Sequence, residues 1–78
     1  MSESEVFKWL EFDEYRIIVE CCGTTPKTAK EIAQLTKVSI TNTGGNLETL
    51  ERHKAVVHTE EGWKATSIGI KVLNKYFR

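Results

Sequence analysis

Four side chains of types common in catalytic and metal sites stand out in the sequence: Cys21, Cys22, His53 and His58. Adjacent thiols such as Cys21 and Cys22 could bind a soft metal or sense an oxidant. Adjacent residues of a helix, however, point about 100° apart, which strains a bond between the thiols and makes a shared metal awkward. No strong base lies beside them in the sequence to lower the pKa of a thiol. We therefore predict that the cysteines are small apolar core residues.

The two histidines lack the companions that catalysis or metal binding requires. Structural zinc normally needs four ligands at set spacing, and the sequence offers only His53 and His58 beside the cysteines. A paired histidine site is conceivable, but nothing else in the sequence supports one. There is also no Ser/His/Asp or Cys/His grouping and no glycine-rich phosphate loop. The sequence predicts a protein that is not an enzyme and holds no metal and no cofactor.

A different kind of chemistry is indicated by residues 39–49, which are mostly small, polar and uncharged. Thr and Asn side chains can hydrogen-bond the edges of DNA bases, and an isoleucine can pack on the methyl group of thymine. Glycines would let a helix backbone approach a duplex closely. The predicted base-contacting residues are Ile40, Thr41, Asn42, Gly44, Gly45 and Asn46.

Basic side chains around this segment supply the candidates for phosphate binding. The chain has 11 basic and 11 acidic side chains, so its net charge is zero, but attraction to a polyanion depends on where the charges lie. Backbone N–H groups at the starts of helices add partial positive charge. The predicted phosphate-contacting residues are Lys27, Thr28, Lys30, Lys37, Ser39, Arg52, Lys54 and Lys64.

The spacing of apolar residues predicts the helices that hold these side chains. A short helix is predicted for residues 5–12. The next helix begins with Asp13 as its N-cap and runs to about Cys22, where Gly23 ends it.

Two further helices follow, separated by a tight turn. Residues 28–31 match a capping box, which begins a helix that ends near Thr36. Ser39 is a second N-cap and begins a helix that ends near Arg52. The apolar cluster predicted to lock these two helices together consists of Ile32, Leu35, Val38, Thr43, Leu47 and Leu50.

The last third of the chain predicts a β-hairpin and a closing helix. Residues 55–66 contain two β-prone segments around a turn with Gly62. Thr66 or Ser67 then caps a helix that runs to residue 77.

The length and the apolar ends of the chain bear on its association. With 78 residues it has room for a single domain, residues 1–78. Such a chain buries only about 60–65% of its unfolded surface, so a partner subunit would help to stabilise it. Its two ends hold more apolar groups than one thin core is expected to bury, which predicts a homodimer. The predicted interface consists of Phe7, Trp9, Leu10, Val72, Tyr76 and Phe77.

The sequence predicts a cytoplasmic protein that does not bind a membrane. No apolar run approaches the ~18–20 residues that span a bilayer. The N-terminus also lacks the order of basic, apolar and small residues found in a secretory signal.

Three segments of the sequence, in this order, resemble parts of a winged helix-turn-helix domain. Residues 28–35 (TAKEIAQL) are similar to the positioning helix, and residues 38–51 to the turn and the recognition helix. Residues 62–69 (GWKATSIG) are similar to the second strand of the wing and the start of the closing helix. Together they cover residues 12–73 in the manner of MarR- and ArsR-type transcriptional regulators of bacteria and archaea.

The resemblance implies an α+β, mostly helical fold with a three-helix core, a two-stranded hairpin as the wing and a C-terminal helix. Its parts would be an N-terminal extension (1–12), the helix-turn-helix (28–52), the wing (55–66) and the C-terminal helix (67–77). It also implies a DNA-binding transcriptional regulator that inserts the helix of residues 39–52 into the major groove of double-stranded DNA as a homodimer.

The chain departs from this family in its charges, which keeps an alternative function open. Recognition helices usually carry Arg or Lys, because bidentate contact to guanine is the commonest specific contact. This helix has neither before Arg52, and Glu48, Glu60 and Glu61 place negative charge on the helix and the wing. The alternative is a winged-helix module that binds another protein, with little or no DNA binding.

Overall fold

The computed structural model describes residues 3–78, which form five helices and one antiparallel hairpin. In chain order the elements are α1 (Glu3–Leu10), α2 (Asp13–Cys22), α3 (Ala29–Thr36), α4 (Ile40–Arg52), β1 (Val56–Thr59), β2 (Gly62–Ala65) and α5 (Ser67–Tyr76). The architecture is α+β and mostly helical, as predicted. Helix α1 begins and ends two residues earlier than the sequence indicates.

The start of α2 differs from the prediction. Phe12 is the N-cap, with an extended backbone and no hydrogen bond from its side chain, and Asp13 is already the first helical residue. The prediction of Asp13 as the cap is wrong because its carboxylate pairs with the guanidinium of Arg16, one turn further along. A negative charge is favourable anywhere in the first turn of a helix. The predicted end is confirmed, since Gly23 caps α2 with a φ of 54°.

Helices α3 and α4 begin at the predicted caps. Oγ1 of Thr28 accepts a hydrogen bond from the backbone N–H of Glu31 at 3.1 Å, and Oε1 of Glu31 accepts one from the N–H of Thr28 at 3.0 Å. Oγ of Ser39 accepts from the N–H of Asn42 at 3.2 Å. Between them Lys37 ends α3 in the left-handed region, with a φ of 61°. Caps of this kind contribute about 1 kcal/mol each.

The hairpin is bonded to the chain segment that precedes α3. Its strands pair Val56 with Ala65 and His58 with Trp63. Trp63 also exchanges two backbone hydrogen bonds with Lys27, of 2.9 and 2.7 Å. Gly62 is required beside this bridge, because its φ is 137° and an added Cβ would lie 2.5 Å from the carbonyl oxygen of Lys27.

Helix α5 starts against the other end of the hairpin. Oγ1 of Thr66 accepts from the N–H of Gly69 at 3.0 Å and donates to the carbonyl oxygen of Lys54 at 2.6 Å. A Cβ at Gly69 would lie 2.5 Å from the carbonyl oxygen of Ala55. The closing helix is therefore fixed to the residues just before β1.

The core lies between the helices and one face of the hairpin. Its largest fully buried apolar side chains are Leu10, Ile18, Ile32, Leu47, Leu50, Leu73, Val6, Val19, Val56 and Val72. Helix α1 packs mainly against α5 and α2, so the two ends of the chain cover each other. The hydroxyl of Thr43 is also buried in the core, without a hydrogen-bond partner among the residues described.

Three predictions about apolar residues are wrong. Leu10 and Val72 cannot line a dimer interface, because both are fully buried in the chain's own core where α1 and α5 meet. Leu35 does not help to lock α3 to α4, because it is 57% exposed at the end of α3. The remaining predicted cluster members on α3 and α4, Ile32 and the inward residues of α4, are fully buried as expected.

Candidate nucleic-acid interface

Helix α4 has one buried face and one accessible face. Thr43, Leu47 and Leu50 point into the core with no exposed surface. Their spacing of four and three residues places them on one side of the helix. The six predicted base-contacting residues lie off this buried stripe. Ile40, Thr41, Asn42 and Gly45 are exposed, and Gly44 and Asn46 are half-buried.

The accessible face carries no charge over its first two turns and is bare at its centre. Residues 40–47 contain no ionisable side chain. Outside the backbone of α4 itself, a Cβ added at Gly44 or Gly45 would meet no atom of residues 3–78 within 4 Å. Packing within the described residues therefore does not require either glycine, although each costs about 1 kcal/mol relative to Ala in a helix. The lack of a side chain at these two positions therefore has a role only in contacts with another molecule, or has no role.

Several predicted phosphate ligands have no partner among the described residues. Lys30 lies on α3, Lys37 in the turn, Arg52 at the end of α4 and Lys54 just beyond it, and all four are exposed. Within residues 3–78 their charged groups form no ion pair and no hydrogen bond. Lys64 on β2 is half-buried and likewise unpaired, but it lines a separate pocket and not the groove beside α4. These five predicted phosphate ligands keep their full capacity to bind an external anion.

Lys27 differs from the other predicted phosphate ligands. Its Nζ donates to the carbonyl oxygens of Cys22 at 3.1 Å and of Thr25 at 3.4 Å. The ammonium group thus neutralises the negative end of α2, where cations are favourable. The ammonium group of Lys27 is therefore less free to bind a phosphate than those of the other predicted ligands. Thr28 and Ser39 are exposed, and their hydroxyl oxygens accept hydrogen bonds as helix caps.

Acidic side chains border the same region. Glu48 is exposed on α4, and Glu60 and Glu61 are exposed at the hairpin turn. Between α4 and the hairpin lies an open groove of about 650 Å³. Its lining residues are Glu48, Glu51, Arg52, Lys54, His58 and Trp63. The mixture of signs in the groove indicates a polar contact surface rather than a simple cation or anion site.

The groove is shaped by two contacts of His58. Its ring stacks on the indole of Trp63 with centroids 4.0 Å apart and planes 1° from parallel. Its backbone N–H donates to Oε2 of Glu51 at 3.3 Å. The bond to Glu51 joins β1 to the C-terminal half of α4, and the stacked rings join the two strands of the hairpin.

The side of the molecule formed by α1 and α5 uses its charges internally. The carboxylate of Glu3 pairs with Nζ of Lys71 at 3.0 Å and of Lys75 at 3.3 Å. Hydrogen bonds from Lys71 and then Lys75 lower the pKa of the Glu3 carboxyl. The cations of α5 are therefore already occupied.

The remaining predicted interface residues contact one another on this side. The ring of Phe7 lies 4.8 Å from that of Tyr76 and 5.4 Å from that of Phe77, centroid to centroid. Trp9 stacks on His53 at 4.2 Å. Phe7, Trp9 and Phe77 are half-buried by these contacts, and Tyr76 is exposed. An interface in this region would thus use Tyr76 and the outer edges of the other rings.

The cysteines have the properties of apolar core residues. Cys22 is fully buried, and burial raises the pKa of its thiol to about 12. Burial, followed by the nearby Glu20, also raises the pKa of Cys21, which is half-buried. Neither thiol is poised to form the reactive thiolate at neutral pH. In the described part of the chain no three side chains of metal-binding type come together.

Sequence reasoning missed two features of this region. It did not find that the ammonium group of Lys27 binds the carbonyl oxygens at the end of α2, nor that the backbone of Lys27 bridges to Trp63 on β2. It also did not find that Leu35, which it placed in the apolar cluster, is more than half exposed. The sequence signal for the exposure of Leu35 is its position in the last turn of a short helix, because a side chain there often lies beyond the end of the neighbouring helix.

The chain matches no protein-family model, no curated protein and no solved structure. None of the helices between residues 3 and 78 is long and apolar enough to span a bilayer.

Proposed function

We propose that the protein is a cytoplasmic DNA-binding regulator of transcription that inserts the accessible face of α4 into the major groove. The observation that carries this proposal is an exposed helix face, uncharged over its first two turns, together with nearby cations that have no partner among the described residues. The major groove is about 12 Å wide and admits an α-helix of about 10–12 Å diameter. The hairpin would lie beside the groove as the wing of a winged helix-turn-helix domain.

Phosphate binding would come from the unpaired cations on both sides of α4. Lys30 lies on α3 and Lys37 in the turn before α4, Arg52 and Lys54 lie at and just beyond its end, and Lys64 lies on β2. Each cation that neutralises a phosphate releases counterions, so affinity falls with salt by a slope of about −0.9 per contact. Five contacts give a modest slope and modest affinity. The acidic Glu48 and the hairpin turn weaken binding further.

A homodimer would place two α4 helices on one duplex. A two-fold dimer sets recognition helices about one turn of DNA apart, roughly 34 Å. The exposed ring of Tyr76, beside Phe7 and Phe77, offers apolar surface for such an interface. Binding of the dimer to a near-palindromic site would block a promoter by occlusion.

The test compares two double variants that remove the same charge from different sides of the molecule. Lys30→Ala with Lys37→Ala should weaken binding of a random-sequence duplex by about tenfold and reduce the salt slope by about two. Lys71→Ala with Lys75→Ala is the matched control, because those lysines already pair with Glu3. It should change binding little. Fluorescence anisotropy at two salt concentrations measures both.

Two results would contradict this proposal. Equal losses in the two double variants would show that binding follows net charge and not the surface around α4. Absence of binding to duplex DNA at about 50 mM salt, where phosphate contacts are strong, would overturn DNA binding altogether.

The alternative function is a module that binds another protein. It is favoured by the exposed acidic groups of Glu48, Glu60 and Glu61, which would repel phosphates. If duplex binding is absent, a basic partner that contacts these three residues becomes the better proposal, and Glu60→Lys with Glu61→Lys should abolish its binding.

A further inference from the structure

We infer that α4 reads the methyl groups of thymine and so directs the protein to A·T-rich duplexes. This inference rests on the proposed DNA binding. It names the class of duplex and the residue, Ile40, that determines the choice.

The first step of the argument is what α4 lacks. The commonest contact to guanine is Arg or Lys bonded to its O6 and N7 atoms. No basic residue occurs in α4 before Arg52, its last residue. Arg52 is twelve residues after Ile40, about 18 Å along the helix axis at 1.5 Å per residue. Base edges are contacted by the N-terminal residues of a recognition helix, so this helix cannot hold guanine there in the usual way.

The second step is the apolar side chain at the start of α4. Ile40 is the first residue of the helix and is 54% exposed, although it directly follows the Ser39 cap. Contacts within the chain do not cover it. In a major groove the matching apolar group is the C5-methyl of thymine, which no other base of DNA carries.

The third step is the space beside Ile40. Residues four apart lie on the same side of a helix, so Gly44 follows Ile40 and Gly45 follows Thr41. Outside the backbone of α4 itself, a Cβ at either glycine would meet no atom of residues 3–78 within 4 Å. The face therefore has a branched apolar side chain followed by a bare stretch of backbone. Thymine methyl groups that project into the groove fit against such a surface.

The fourth step is the pair of asparagines on the same helix. The amide of an asparagine can make two hydrogen bonds to N6 and N7 of adenine, the partner of thymine. Asn42 is exposed, and its side chain forms no hydrogen bond within residues 3–78, since only its backbone N–H is used. Asn46 lies one turn further along. The two asparagines share one side of the helix, across the accessible face from Ile40, so adenine and thymine contacts would come from the two sides of the same first two turns.

The experiment uses three duplexes of one length and the full chain. The first is A·T-rich, the second has every thymine replaced by deoxyuridine, and the third is G·C-rich. Deoxyuridine removes only the methyl group and leaves the base pairing and phosphate charge unchanged. We expect the thymine duplex to bind about fourfold more tightly than the deoxyuridine duplex for each methyl group buried. The G·C-rich duplex should bind weakest.

The variant Ile40→Ala assigns the effect to one side chain. It should keep duplex binding but bind the thymine and deoxyuridine duplexes equally. Ile17→Ala on α2 is the matched control, because it removes the same atoms from a residue that is 44% exposed elsewhere. It should retain the preference for thymine. Both positions are exposed, so neither substitution should prevent folding.

The outcomes separate this inference from the proposed function. If no duplex binds, DNA binding itself is overturned, and the inference with it. If all three duplexes bind equally, or if Ile40→Ala keeps the preference for thymine over deoxyuridine, DNA binding stands and methyl recognition is wrong.

Discussion

The α1–α5 side of the molecule and the α3–α4 side both carry lysines, but only the first side uses them. Lys71 and Lys75 pair with Glu3, whereas Lys30 and Lys37 have no partner within the described chain. A net charge of zero conceals this difference. The attraction of the protein to a polyanion depends on which charges remain unpaired and where they lie.

The apolar groups of the two sides differ in the same way. Phe7 packs against Phe77 between α1 and α5, and Leu10 is buried beneath them. On the other side Leu35 and Ile40 remain more than half exposed. The lysines of α5 are thus paired within the chain and Tyr76 is the large apolar side chain that stays exposed there, whereas the α3–α4 side leaves both its lysines and its apolar groups available to a partner.

The largest effects are expected from substitutions of the two glycines that pack against the backbone, Gly62 and Gly69. Gly62→Ala and Gly69→Ala should each lower the free energy of unfolding by about 2–4 kcal/mol, because each new Cβ would collide with a backbone carbonyl. Gly62 should be the more sensitive of the two, since its positive φ adds strain. Urea denaturation measures the change. Stability equal to that of the unchanged protein would mean that the hairpin and α5 are packed less tightly than described.

The glycines of α4 should behave in the opposite way. Gly45→Ala adds a methyl group in open space and should raise the free energy of unfolding by up to about 1 kcal/mol. The same methyl group should weaken duplex binding, because it separates the helix backbone from the bases. Denaturation and anisotropy on one variant test both effects. If Gly45→Ala raised both the free energy of unfolding and the affinity for duplex DNA, the contrast between the two sides of the molecule would be wrong. The bare face would then have no role in DNA contact.

The smallest expected effect concerns the ion pairs of Glu3. Lys71 and Lys75 hold the pKa of its carboxyl below the ordinary value of 4.5, so the pairs stabilise the folded state above that pH. This stabilisation is lost as the pH falls through the lower, folded-state pKa. Glu3→Gln should therefore reduce stability slightly at pH 7 and have no effect in strong acid. High salt should also reduce the difference, because the pairs are at the surface.

This prediction is contradicted if Glu3→Gln has the same stability as the unchanged protein at neutral pH and low salt. The pairs would then contribute nothing, and the lysines of α5 would be as free as those of α3. Thermal unfolding across a pH series distinguishes these results.

The sequence predicts features whose causes are local. The caps at Thr28 and Ser39 depend on residues three positions apart, and both occur where expected. Asp13 is a wrong prediction of the same local kind, because a carboxylate there can bond either the backbone ahead or Arg16, and the structure has the second.

Features that depend on distant parts of the chain were not predictable in this way. The apolar positions Leu10 and Val72 show only that their side chains must be covered, and not whether a sister chain or the same chain covers them. The structure shows the same chain. The bridge from Lys27 to Trp63 joins residues far apart in sequence through backbone atoms alone, so no residue type indicates it.

That bridge has a mechanical consequence. Lys27 is bonded through its backbone to the hairpin and through its ammonium group to the end of α2, and the next residue caps α3. A movement of the hairpin is therefore coupled to the first turn of α3 through this one residue. It is also coupled to the end of α2 through a second backbone bond, from the N–H of Ala65 to the carbonyl oxygen of Gly23. The orientation of the hairpin relative to these two helices thus depends on backbone bonds from two residues of β2, Trp63 and Ala65.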